Sequence, residues 1–116
     1  MSKYLNEDSR KHHYESTIQS THLKHINYIN TMRQYANEYQ ETIQQRAVEI
    51  PAPMLERAMR HYKKVFDITH AMLIAIENNM YDKTVWEQGM RSVNQYIDSM
   101  ETIANYGGTN GKNKSN

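Results

Sequence analysis

Glu49–Glu56, EIPAPMLE, holds both prolines of the chain, and how it is read decides the fold. The residue before a proline is pushed out of the helical region, and the ring removes a donor and clashes with the preceding turn. A helix arriving from the N-terminal side therefore ends at Ile50. Pro53 suits the first turn of the next helix, where its missing amide would have had no partner, and Glu56 stands near that helix's positive end.

Upstream, from Asp8, a fitting N-cap, to Ile50, there is neither Gly nor Pro. Ile18, His22, His25, Ile29, Met32, Ala36, Tyr39, Ile43, Arg46 and Ile50 recur in steps of four and three, a heptad seam. One helix over 8–50, roughly 60 Å long at 1.5 Å per residue, is the simplest expectation. Downstream, Met54, Ala58, Tyr62, Val65, Thr69, Met72 and Ile76 give a second helix over 53–79 a broad apolar face, and Asn78-Asn79 is its stop.

A third helix over 84–106 is announced by Thr84-Val85-Trp86-Glu87, a capping-box pattern. Met90, Val93, Ile97, Met100 and Ala104 supply its apolar stripe, Gly107 is its expected C-cap, and 107–116 reads as a disordered tail with nothing to bury. No alternating strand pattern occurs. The expectation is all-α: an antiparallel three-helix bundle in one domain over 1–106, or a four-helix bundle if the first helix bends near residues 27–31.

Helices two and three reach only about 39 Å and 33 Å at the same rise. They leave part of the first helix uncovered, where Leu23, Ile26, Tyr28, Ile29, Met32 and Tyr35 spread apolar groups over more than one face. A second copy is expected to cover them, so the seam residues Ile18, His22, His25, Ile29, Met32, Ala36 and Tyr39 are read as the interface of a homo-oligomer, a dimer or larger.

Composition narrows function. Nine Tyr and eight Met suit adaptable contact surfaces. A net charge of +1 excludes a histone-like polyanion binder, and the absence of cysteine excludes disulfides, thiolate nucleophiles and Cys-ligated zinc. The opening MSKYLNEDSRKHH has no apolar signal region, and the longest purely apolar run, Ala71–Ile76, is too short to span a bilayer. A cytoplasmic protein with no membrane partner is expected. High Asn, Lys, Tyr and Ile with little Gly or Pro is a composition that an AT-rich genome favours, a bacteriophage's for instance.

His22 and His25 share a helix face, so both could reach one ion. The di-iron pattern needs carboxylate-x-x-His on two helices, however, and Asp67-Ile-Thr-His70 stands alone. They are read as polar seam residues, with no metal or cofactor expected. Arg57, Arg60, His61 and Lys64, flanked by Lys63, form a ridge along the second helix. Such spacing meets successive anionic groups; an acidic protein surface is the favoured partner, a nucleotide a second, long nucleic acid the least. Gly89, inside the third helix, loses about 1 kcal/mol relative to Ala. A close helix crossing there offsets this, or a shallow pocket in which a flat ligand stacks on Trp86 or Tyr96. No phosphate loop, nucleophile elbow or paired carboxylate supports catalysis. The sequence is read as a small non-enzymatic interaction protein of the phage-accessory kind, binding a partner macromolecule stoichiometrically.

Overall fold

The computed structural model describes the backbone of residues 7–107 and side chains from residue 22 to residue 107. It holds three helices, α1 (Glu7–Gln45), α2 (Ala52–Glu77) and α3 (Lys83–Ala104), and the chain is an all-α three-helix bundle with no strand among the described residues. The chain forms two compact units, Met1–Asn30 and Thr31–Asn116. The helix continues through 27–31, so the four-helix alternative is not adopted.

α1 stops at Gln45 rather than Ile50. The Arg46 amide is shared between the Thr42 and Ile43 carbonyls, each at 3.1 Å, and the next amide reaches back three residues to Gln44 at 3.2 Å. This tightening uses up the terminal carbonyls before Pro51 forces the chain to be extended. Pro51 then accepts from Met54 and Leu55, at 2.9 and 3.1 Å, and caps α2 without a side-chain bond. Because α2 starts at Ala52, Pro53 is its second residue and Glu56 lies beyond its first turn.

α2 ends in a Schellman turn, which the Asn78-Asn79 pair supplies. Asn79 is left-handed at φ 56°, its amide bonds the Ile76 carbonyl at 3.2 Å, and the Met80 amide bonds Ala75 at 2.7 Å. α3 opens two residues earlier than the Thr84–Glu87 box implies. Asp82 is the N-cap, accepting from the Val85 amide at 3.0 Å, and Thr84 falls inside the helix. At its far end, Arg46 donates to the carbonyls of Ala104 and Tyr106, both at 2.6 Å, while holding Glu49 at 2.9 Å. Arg46 is thus a clamp on the negative end of α3, not a seam residue. Gly107 follows with φ 73°, a conformation that glycine adopts without strain.

Within the second unit the helices run up, down and up. Arg33 and Asn37 of α1 meet Thr69 and Tyr62 of α2, and His61 of α2 meets Tyr96 of α3. Val65, Val93, Met100 and Ile103 are buried between them. Among the described side chains of α1 the buried positions are Ile29, Met32, Ala36, Gln40 and Ile43, so Gln40 takes the inward place that a strict heptad assigns to Tyr39. A straight helix of 3.6 residues per turn drifts about 20° per heptad, and one step of four in place of three restores the inward direction.

Candidate functional site

Three of the seven residues of the expected oligomer seam are buried within the chain itself. Ala36 is wholly buried and Met32 keeps 5% of its surface, so neither has area left to offer a second copy. Ile29 is buried too. Tyr39 is half-buried, its ring stacked on Tyr35 at 6.5 Å, and burial followed by the nearby Glu101 carboxylate pushes its phenol up. The side chain of Ile18 lies outside the described residues, as does the expected tail beyond Gly107. Of the apolar groups expected to be covered, Leu23, Tyr28 and Tyr35 are exposed.

His22 and His25, in the first unit, are half-buried. Burial, and then the neighbouring His22 imidazole, hold His25 below its ordinary value, which favours a neutral ring. No three His, Asp or Glu side chains gather as metal ligands among the described residues.

The basic ridge forms as its spacing dictates. Ala58 and Val65 turn inward, which sends Arg57, Arg60, Lys63 and Lys64 outward into solvent. His61 sits between ridge and core. Its ring lies 5.0 Å from that of Tyr96, and its Nδ1 is buried without a hydrogen-bond partner. Burial first, then the Arg57 and Arg60 charges, push its pKa down. His61 therefore adds an aromatic wall, while the positive charge belongs to the two arginines and two lysines. None of the four ridge cations has a carboxylate within 4.0 Å, although Glu56 and Asp67 each stand about one helical turn from Arg60 and Lys64. On α3, Ser92 and Ser99 share the face of Tyr96, whereas Glu101 acts on Tyr39 of α1. On the α3 side the ridge meets the ring of Tyr96, through His61.

Trp86 and Tyr96, the two expected stacking residues, are ten positions apart, about 15 Å along α3. They serve different places. Trp86 pairs with Tyr81, ring centroids 6.2 Å apart, in an apolar cleft of ≈ 90 Å³ where α2 turns into α3. Ala71, Met72, Ala75, Met80, Asp82 and Val85 complete its lining. Sites for drug-sized ligands occupy about 300–1,000 Å³. This cleft has room for one side chain and none for a stacked nucleotide. Sequence reasoning named Trp86 as a stacking residue but not the rest of this lining, whose signal is the Met80-Tyr81 pair between the Asn79 helix stop and the Asp82 cap.

Gly89 resolves to close packing. A Cβ there would stand 3.0 Å from the Met72 sulfur and 3.5 Å from Ile68 Cγ2, so the missing methyl is what lets α2 and α3 approach. No described helix is long and apolar enough to cross a membrane. No family model, curated protein or solved structure matches the chain.

Proposed function

We propose that this chain is a non-enzymatic interaction protein that binds an acidic macromolecular surface through the α2 ridge. One observation carries the reading: Arg57, Arg60, Lys63 and Lys64 are exposed over two helical turns with no carboxylate within 4.0 Å. Four uncompensated cations on a near-neutral protein concentrate its attraction for anions on one stripe. Arginine adds planar two-point bonding to carboxylates, and Tyr96 offers an amphipathic ring beside it. Self-association through α1 stays part of the proposal, with exposed Leu23 and Tyr28 as its contacts in place of Met32 and Ala36.

Carbodiimide coupling tests the ridge directly, since it joins a lysine amine to a carboxylate only when the two already touch. The expected result, in cells of the source organism, is coupling of Lys63 or Lys64 to Asp or Glu of another protein, lost in the double variant Arg57→Glu, Arg60→Glu. Coupling that survives the double variant would discard the ridge as the contact. Co-purification of a nucleotide or nucleic acid with the wild type, and not with the double variant, would move the function to that ligand.

A further inference from the structure

The other end of the hairpin has the opposite character. At the α2–α3 turn the cleft under Trp86 is lined almost wholly by carbon, and its rim, Met80 at 71% and Val85 at 61% exposure, faces solvent. Two aromatic rings, those of Tyr81 and Trp86, are among the lining, tilted by 52° to each other. The charges beside them are mainly negative. Asp82 lines the cleft, and both Glu87 and Asp82 act on the Tyr81 phenol, which burial and these carboxylates push up; Lys83 is the one cation in this stretch of chain.

We propose that this cleft is a receptor for a single arginine side chain presented by a partner protein. An arginine has an apolar stem that matches Met72, Ala75 and Val85 and a flat guanidinium that stacks on aromatic faces. The quadrupoles of Trp86 and Tyr81 attract the cation, and the Glu87 carboxylate adds to that attraction. Asp82 adds to the field, although one of its oxygens is engaged by the Val85 amide. A volume of ≈ 90 Å³ admits one such side chain and excludes a cofactor. Thioether sulfurs from Met72 and Met80 let the walls adjust to the entering group. This site is separate from the ridge: it selects the opposite charge and lies some three turns further along α2.

Trp86 is the chain's single tryptophan, so its indole N–H signal and fluorescence report on the cleft alone. Titrating the full chain with N-acetyl-arginine methylamide should shift the indole signal to saturation. N-acetyl-leucine methylamide, shorter, apolar and uncharged, should bind weaker by about threefold to fivefold, the equivalent of an exposed cation–π contact. Glu87→Gln, at an exposed helical position, should weaken the arginine probe while leaving the leucine probe and the helical circular dichroism unchanged. An equal or tighter leucine probe would overturn the proposal and make the cleft a plain apolar contact. An unmoved indole signal, or arginine binding indifferent to Glu87→Gln, would overturn it as well. Arg57→Glu with Arg60→Glu should leave both titrations intact, so failure at the ridge and failure at the cleft are told apart.

Discussion

The two flanks of α2 are packed by different physics. Toward α3 the contact is hydrocarbon and thioether against a glycine, with Met72 and Ile68 filling the space that a Gly89 side chain would occupy. Toward the 31–45 stretch of α1, beside the buried Met32, Ala36 and Ile43, it also carries a polar set. Arg33 Nε donates to Thr69 Oγ1 at 2.8 Å, its guanidinium lies 4.9 Å from the Phe66 ring centre, and the Tyr62 hydroxyl donates to Asn37 at 2.5 Å. Thr69 is fully buried and also donates to the Val65 carbonyl at 2.7 Å, so its hydroxyl is satisfied in both directions. Apolar contact is non-directional and contributes most of the stability. Directional bonds add less, but a slip of one helix turn breaks them all, so the polar flank fixes register while the apolar flank supplies cohesion.

Overfilling the apolar flank should do the most damage. Gly89→Leu pushes a branched side chain into Met72 and is expected to destabilise the fold by about 3 kcal/mol, the upper end of overpacking. Gly89→Ala is the sharper probe. Its helix propensity gain of about 1 kcal/mol opposes a contact at 3.0 Å with a flexible thioether, so the net change should stay within about 1 kcal/mol of zero. Urea unfolding of both variants measures the pair; a Gly89→Leu protein as stable as the wild type would mean that the crossing is loose.

The polar flank should respond less. Thr69→Val keeps the volume but strands the part-buried Arg33 donor, for an expected loss of about 1–2 kcal/mol. Tyr62→Phe removes a bond at an exposed edge, so about 0.5 kcal/mol is expected. Thermal unfolding of the two checks the order. If Tyr62→Phe proves the costlier, register is held at the rim of the bundle instead of at Thr69.

The apolar flank was legible in the sequence and the polar one was not. Val65, Met72, Met90, Val93, Ile97 and Met100 follow helical spacing, and Gly89 announced a close crossing, because periodic burial is written one residue at a time. Arg33 looks like any solvated residue of a long helix. Its partner Thr69 is 36 positions away, and only the docked helices bring them together. The same holds for Arg46, whose seam-like position hid a role at carbonyls 58 and 60 residues further on. Of the candidate sites, the ridge was readable from spacing alone. The cleft was not, since it depends on how the turn after Asn79 folds Tyr81 back onto Trp86.

His61 is the polar exception on the apolar flank, and it should give the comparison its smallest signal. The groups around it are Arg57 and Arg60 from α2 and Tyr96 from α3; the two arginines oppose a charged imidazole, and burial opposes it most. Its folded pKa is below the ordinary 6.5, so around pH 6 the unfolded chain binds more protons than the folded one. The stability tied to the neutral ring is fully present above pH 6.5 and is lost as pH falls through the folded value. His25 acts in the same direction. Carboxylates titrate near 4, so the window from pH 7.5 to 5 isolates the histidines. The melting temperature should fall across that window in the wild type and fall less in His61→Gln, with His25 contributing to the slope that remains. An identical slope in the variant would show that the ring gains a proton without leaving Tyr96, and that this flank tolerates a charge its packing gives no reason to expect.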